Sequence, residues 1–301
     1  MRVQLAEVVD PQTRDVFQIV ACDDCQHGVT TPMPADLSRY YGKKYYGNRH
    51  GMTAKYCSRR RLRLVARATR QRKVDNTGEP TERRLLDVGC GDGAFLLAAI
   101  GSGWQGVGVE MNPDPARAAG LDVHSSLAEL PPGSRFDCIT LWHVLEHLPD
   151  PSVELESLRP LLADGGVLLL AVPNAVSSQA RLSGRHWLHR DVPRHLHHFS
   201  PHSLARYLDS AGFSLDRAWH GEFEYDLLGW SQSALNRCFA QPNVFFEILT
   251  GKGAAYGPLQ RTTQLALGAA CCGLALAPTW WGMVMADAGT LIVAARPTNA
   301  R

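Results

Sequence analysis

The feature that most limits what this chain can become is the run Leu85-Leu86-Asp87-Val88-Gly89-Cys90-Gly91-Asp92-Gly93-Ala94-Phe95. An apolar strand stops at an acid, and spaced glycines lead at once into a helix. Glycines allow the sharp bend and let backbone N–H groups approach a ligand, while the helix N-terminus behind them favours a carboxylate or phosphate. A turn without a ligand has no need of three glycines flanked by Asp87 and Asp92. Alone, the turn is ambiguous. Gly89, Gly91 and Ala94 also satisfy the dinucleotide pattern G-x-G-x-x-G/A, with Glu110 at a suitable distance for a ribose.

Short apolar runs alternate with helical stretches after this turn. Strands are expected from Arg84 to Val88, Gly106 to Glu110, Phe136 to Leu141 and Val167 to Val172. Helices are expected from about Ala94, across Ala116 to Ala119, and around Val153 to Leu162. A helix from Pro201 to Ala211, a strand near Ser214 to Trp219 and a last strand from Thr290 to Ala295 complete the series. Such alternation implies an α/β fold, a doubly wound, mainly parallel sheet with right-handed crossovers. The division expected is an N-terminal extension (1–80), a core (81–220), an insertion (221–289) and the last core strand with the tail (290–301).

Four blocks in order carry a specific resemblance: Leu85 to Gly93; Val107-Gly108-Val109-Glu110; Phe136 to Pro151, containing Trp142-His143-Val144-Leu145-Glu146-His147; and Leu161 to Gly166 with its strand ending at Pro173-Asn174. Together they resemble the class I S-adenosylmethionine-dependent methyltransferases. Cys22-x-x-Cys25, the Tyr40 to Tyr46 aromatic stretch and the segment Trp187 to Ser200 are similar to a bacterial group of small-molecule methyltransferases. The resemblance implies a Rossmann-like sheet of seven strands. It implies S-adenosyl-L-methionine as cofactor, with Asp87, Gly89, Gly91 and Gly93 shaping the methionine pocket, Glu110 binding the ribose hydroxyls, Met111 beside the adenine and Trp142 bordering the acceptor. One carboxylate can accept from both hydroxyls of a ribose.

Five of the twelve histidines fall after the fourth and fifth core strands: His143, His147, His195, His197 and His198. The carboxyl ends of strands form the ligand crevice in such a sheet, and an imidazole there can take a proton from an attacking nucleophile. His143 and His195 are the first catalytic candidates; the bland alternative is a structural imidazole bonded to a loop or helix end. His143, Glu146 and His147, read as adjacent turns of one helix, could hold a divalent ion with a later His. Some metal-assisted O-methyltransferases show a similar acid-x-x-Glu-His pattern, from which His143 departs. Cys22 and Cys25 have half a zinc site's spacing, with Cys57 or His27 as completions.

From Lys55 to Lys73 there are nine Lys or Arg and no acid, expected as a solvated helix with Leu62, Val65 and Ala66 on the core. The polar segment from Val74 to Glu82 reads as a linker. Thr262 to Ala286 holds no charged residue and exceeds the roughly 20 residues that cross a bilayer. Gly268, Gly273, Pro278 and Gly282 interrupt it, and the Thr290 strand must return to the sheet, so a lid or helical pair over the acceptor pocket is expected. Shallow membrane docking through Trp280 and Trp281 is the other outcome.

The formal charge of +2 gives no reason to expect nucleic acid, and eight scattered cysteines without a disulfide rhythm suit a reducing interior. The first residues lack a signal-peptide pattern, so a cytoplasmic enzyme is expected, with the inner membrane face as a peripheral site. The sequence reading is methyl transfer to a small-molecule acceptor: a secondary metabolite, sugar, quinone or lipid-linked compound. An NAD(P)-dependent oxidoreductase on the same turn and a non-catalytic cofactor-binding partner protein are the alternatives.

Overall fold

Alternation in the longest core strand decides the layers. In Leu162–Pro173, Leu168, Leu170 and Val172 lie in one buried cluster, and Val167, Leu169 and Ala171 in another. A strand apolar on both faces belongs inside a sheet covered on each side.

The computed structural model describes residues 1–41, 54–69 and 82–298. The strands are β1 (Arg2–Val9), β2 (Val16–Ala21), β3 (Gly28–Thr31), β4 (Arg83–Val88), β5 (Trp104–Val109), β6 (Val123–His124), β7 (Phe136–Trp142), β8 (Leu162–Pro173), β9 (His197–His198), β10 (Phe213–His220) and β11 (Thr290–Pro297). The helices are α1 (Ala54–Ala68), α2 (Ala94–Ile100), α3 (Asp114–Ala118), α4 (Pro151–Leu158), α5 (Ser178–Ser183), α6 (Pro201–Ser210), α7 (Phe223–Cys238), α8 (Val244–Glu247) and α9 (Pro258–Val284).

Seven strands form the main sheet in the order β10-β11-β8-β7-β4-β5-β6. All neighbours from β8 to β6 are parallel, while β11 is antiparallel to both β8 and β10, so β10 again runs with β8. The expected doubly wound, mainly parallel sheet is therefore present. The chain winds outward from β4 through β5 to β6, then returns to β7 on the other side of β4. That reversal opens a crevice at the carboxyl ends of β4 and β7.

Local chemistry sets the boundaries. The Asp150 side chain accepts from Ser152 N and Val153 N, and Pro151 starts α4 without losing a needed donor. The helix gives way at Leu158 to a 3-10 turn containing Pro160, and β8 begins at Leu162, earlier than expected. On α1 the buried positions are Cys57, Ser58, Arg61, Leu64, Val65 and Ala68, the spacing of one helical face. Val65 and the half-buried Leu62 face the core as expected, while Ala66, expected beside them, is exposed. Lys55, Arg59, Arg63 and Arg67 are exposed, as a solvated helix requires, whereas Arg61 turns inward. The linker from 74 to 81, residues 42–46 of the aromatic stretch and residues 70–73 of the basic run lie outside the described residues.

The N-terminal extension forms a second sheet, β1-β2-β3-β9, whose last strand comes from the core between β8 and α6. Val29 pairs with His197 and Gly28 with His198, and Val8, Phe17, Ile19, Tyr40 and Val192 make a small core beneath it. The insertion is helical, with α9 packed along α7. On α9 the buried residues are Gln264, Gly268, Ala275 and Thr279, whereas Leu259, Leu265, Leu267, Leu274, Trp280 and Trp281 are exposed.

Candidate active site

The glycine turn between β4 and α2 has Gly89, Gly91 and Gly93 all at positive φ. A Cβ at Gly89 would overlap the Val144 side chain and one at Gly93 would overlap Leu121, so these two are required by packing as well as by backbone conformation. A Cβ at Gly91 would meet nothing within 4 Å. Gly91 thus presents its backbone to open space, as a ligand-facing glycine does. Its N–H donates to Glu110 Oε2 at 2.9 Å, and Asn112 N–H donates to Glu110 Oε1 at 3.2 Å. The acid after β5 therefore sits at the lip of the turn and holds its shape. Met111 beside it is 81% exposed.

Asp87 is buried at the end of β4, where Thr140 Oγ1 donates to its Oδ1 at 2.7 Å. Burial raises its pKa to about 7. Trp142, ending β7, meets Phe95 of α2 edge to face at 5.4 Å and has the Arg61 guanidinium 4.9 Å from its ring centre. Its indole N–H is buried without a hydrogen-bond partner among the described residues.

His143 follows at φ 58, an uncommon left-handed conformation for a residue with a side chain. Its N–H donates to Ala171 O at 3.0 Å, which ties the reversal to β8. The ring stacks on Tyr225 at 4.4 Å with planes 7° apart, and Nε2 lies 2.7 Å from Glu222 Oε2. Glu222 is fully buried just beyond β10, and its Oε1 accepts from Arg60 and from Arg61 Nε. Two guanidiniums already balance that carboxylate. Burial, reinforced by Arg61, keeps His143 well below its usual pKa and so neutral. A neutral ring donating from Nε2 to Glu222 presents its Nδ1 lone pair on the side of Glu146, 3.6 Å from Oε1.

The expectation that His143, Glu146 and His147 share one helix is corrected. The left-handed His143 breaks the helical path, and only a single 3-10 turn, Leu145–His147, follows before Pro149. The turn nevertheless gathers ligands. Glu146, His147 and His195 each offer an atom within 4.8 Å of the others'. His195 Nδ1 lies 2.9 Å from His189 O and His147 Nδ1 3.0 Å from Arg194 O, so backbone carbonyls fix the Nδ1–H tautomer of each ring. His195 Nε2 then faces Glu146 Oε1 at 3.9 Å. His143 and His195, the two catalytic candidates, converge on this one carboxylate.

Other expected ligands do not converge. Cys22 and Cys25 flank the β2–β3 turn, but His27 points into the protein, 3.1 Å from His197 Nδ1, and Cys57 is buried on α1. Among the described residues the two cysteines gain no third ligand. His197 and His198 serve the sheet junction, where Thr30 Oγ1 donates to His195 O at 2.7 Å and lies 2.9 Å from His198 Nε2.

Glu222, Tyr225, Asp226, Arg60, Arg61 and His189 went unnoticed in the sequence. Asp226 Oδ2 accepts from Glu222 N–H at 2.7 Å, and its other oxygen accepts from Gly289 N–H, joining α7 to the turn before β11. Burial pushes its pKa up to about 7. One signal was available: Glu222 directly follows a glycine at the carboxyl end of β10, a strand parallel to β8.

Comparison with known proteins assigns the chain to a family. A family model described as a methyltransferase domain matches residues 49–218, more than half of the chain. The ubiquinone biosynthesis O-methyltransferase of Xanthomonas axonopodis pv. citri is 31% identical over 157 residues, covering 46% of this chain and 65% of that protein. The protein of the same name from Xanthomonas euvesicatoria pv. vesicatoria is 32% identical over 152 residues, 44% of this chain and 63% of the relative. The chain thus spans a little under two thirds of the length of these relatives. A solved 1,6-didemethyltoxoflavin-N1-methyltransferase of Burkholderia thailandensis superposes with a TM-score of 0.50 at 14% identity, covering 94% of this chain and 96% of that one, a likeness of fold. With its family match spanning the glycine turn, Glu110 and the histidine-ringed Glu146, the chain belongs to the methyltransferase-domain family.

Proposed function

We propose that the crevice binds S-adenosylmethionine and that the chain transfers its methyl group to a nucleophile on a small molecule. The observation that carries this reading is a juxtaposition: Val144 packs on Gly89, so the open glycine turn with Glu110 adjoins the carboxylate ringed by His143, His147 and His195. The cofactor supplies an electrophilic methyl on a sulfonium. Asp87 and the Gly89–Gly93 turn would shape the methionine end. Glu110 spends one lone pair on each of two N–H groups and keeps others for ribose hydroxyls. Met111 offers an apolar face to the adenine, and Trp142 walls the site toward the acceptor.

On the acceptor side, the neutral His143 is held in one orientation by Glu222 and Tyr225. It takes the proton that a hydroxyl loses as its oxygen bonds to the methyl carbon, and His195 orients the same oxygen. Much of the acceleration then comes from alignment of the two reactants. The products are a methylated acceptor, S-adenosylhomocysteine and a proton.

The donor set at Glu146, His147 and His195 also fits a divalent cation. One carboxylate and two imidazoles whose Nδ1 atoms face backbone carbonyls form the pattern of a catalytic metal site. Those residues would hold it, and it would supply Lewis-acid polarisation of the acceptor oxygen. Metal analysis of the purified protein, compared with Glu146→Gln, tests this; equal metal content in both removes the reading.

An apolar acceptor at a lipid surface is the finer reading. By length and composition α9 is apolar enough to cross a membrane, yet β11 starts in the sheet six residues after α9 ends, so docking is favoured over spanning. Its small and polar residues face the protein and its leucines and tryptophans face outward, the reverse of a water-facing helix. The fully exposed charges on the insertion are basic, Arg237 and Arg261; Glu222 and Asp226 are buried, Glu224, Glu247 and Lys252 are half-buried, and Asp287 is paired with Arg181. That suits an anionic bilayer. Co-sedimentation with phosphatidylglycerol vesicles, lost in Trp280→Ser/Trp281→Ser, is expected; equal pelleting of both proteins removes the reading.

The main proposal is tested by isothermal titration with S-adenosylhomocysteine against NAD. Binding of the first, and its loss in Glu110→Ala, is expected. Binding of NAD alone refutes it.

A further inference from the structure

On the far side of the segment that carries His195, a groove of about 690 Å³ opens between the β1–β2 turn, residues 185–192 and the end of α7. Its size suits a metabolite. Arg190 lines it and is only 4% exposed, with Nε and Nη1 both buried and without a hydrogen-bond partner among the described residues. The guanidinium stands over Trp187, 5.1 Å from the ring centre, and its charge also helps to hold the buried His198 neutral; neither neighbour is a counter-charge.

A buried charge without a counter-charge is costly, and proteins normally pair it. The contrast four residues on is direct. Arg194 is equally buried, and two carboxylates meet it, Asp10 at 3.0 Å and Asp191 at 2.6 Å. Burial opposes ionisation of Asp191, but Arg194 prevails and holds its carboxyl well below the usual range. Asp191, the half-buried acid on the groove wall, is therefore already committed to Arg194. Nothing comparable reaches Arg190, whose pKa falls to about 10 through burial alone.

The remaining charges on the groove wall reinforce this. Arg14, Arg185 and Arg237 line its rim and are exposed, against a single exposed acid, Glu7. An anion entering the groove meets a positive rim and, beneath it, a guanidinium whose planar fork matches a carboxylate or phosphate bidentately.

We infer that this groove is a second binding site, separate from the methyl-transfer crevice, for a small molecule bearing a carboxylate or phosphate group that pairs with Arg190. Thermal unfolding of the full chain is measured in sodium phosphate and in sodium citrate, each against sodium chloride at matched ionic strength. Wild type is expected to show a saturable rise in Tm with at least one of the two anions; which one responds distinguishes phosphate from carboxylate. Arg190→Met is expected to lose the response, with its Tm in chloride equal to or above that of wild type because a buried unpaired charge is gone. Arg14→Gln/Arg185→Gln, altered only on the exposed rim, should bind the responding anion several-fold more weakly. The inference is overturned if neither anion acts beyond chloride, or if Arg190→Met responds like wild type. Should Arg190→Met fail to fold, unchanged affinity in the rim variant overturns it equally.

Discussion

Glu222→Gln tests the least expected part of the site. The substitution keeps the side-chain volume but removes the charge that Arg60, Arg61 and His143 share. Arg60 retains Glu224 at 3.1 Å, so Arg61, with its side chain 5% exposed, is the group left without a carboxylate. Removing one partner of a buried ion pair costs about 3–5 kcal/mol, and the surviving Glu224 contact places this case near the lower end, ~3 kcal/mol. In a chain of this size that is roughly 5–10 °C in Tm. Urea unfolding of wild type, Glu222→Gln, Arg61→Met and the double variant gives the coupling. The double variant should recover about 1–3 kcal/mol relative to the sum of the singles, because the orphaned charge is gone as well. His143 also loses its acceptor, so kcat should fall while S-adenosylhomocysteine affinity holds. A loss below about 1 kcal/mol, or strict additivity with Arg61→Met, refutes the ion-pair account.

Gly91→Ala places a Cβ in open space at a left-handed φ, so it should cost only about 1–2 kcal/mol yet weaken S-adenosylhomocysteine binding by calorimetry. Gly89→Ala and Gly93→Ala add overlap with Val144 and Leu121 and should unfold at distinctly lower urea. Burial lowers the His27 and His189 pKa values to about 4, so the native state binds fewer protons than the unfolded chain between pH 4 and 6.5, and stability should rise with pH there. Asp226, raised to about 7, acts in the opposite sense: its contribution is full below its unfolded pKa near 4 and is lost as pH rises through 7. Asp226→Asn should therefore steepen the pH dependence of the urea midpoint between pH 4.5 and 6.5; an unchanged slope contradicts the assignment. Thr30→Val removes the hydroxyl donated to His195 O and should cost about 1–3 kcal/mol by the same measurement, with a drop in kcat.

What was legible in the sequence was local, and what was not depended on where remote segments meet. Asp87, the glycines and Glu110 each end a strand in a short stretch, so period and turn chemistry sufficed to find them. Arg61 sits in a run of nine cations, where composition says solvent; only the packing of α1 against α2 and β8, which brings Arg61 to Glu222, reveals that one helical face needs a charge inside. His143, Glu146 and His147 have helical spacing, and that spacing misled, because a left-handed residue after β7 replaces the helix while still turning Glu146 and His147 toward His195.

The N-terminal extension gives the sharpest case. Its strands carry weak signals because β1 is exposed along most of its length. Yet β3 pairs with β9, and Thr30 N–H and Oγ1 grip the carbonyls of Leu196 and His195, while Tyr41 reaches His147 Nδ1 at 3.1 Å. Leu196 N–H in turn donates to Glu146 O. The histidine cluster is therefore fixed from two directions, by the β7 turn and by a sheet built largely from the first 31 residues. The same loop presents Arg190 to the groove and, through His189 O, sets the tautomer of His195. The carbonyls of His189, Arg194, His195 and Leu196 each meet a partner, so a displacement of this segment reaches the His147 and His195 rings directly.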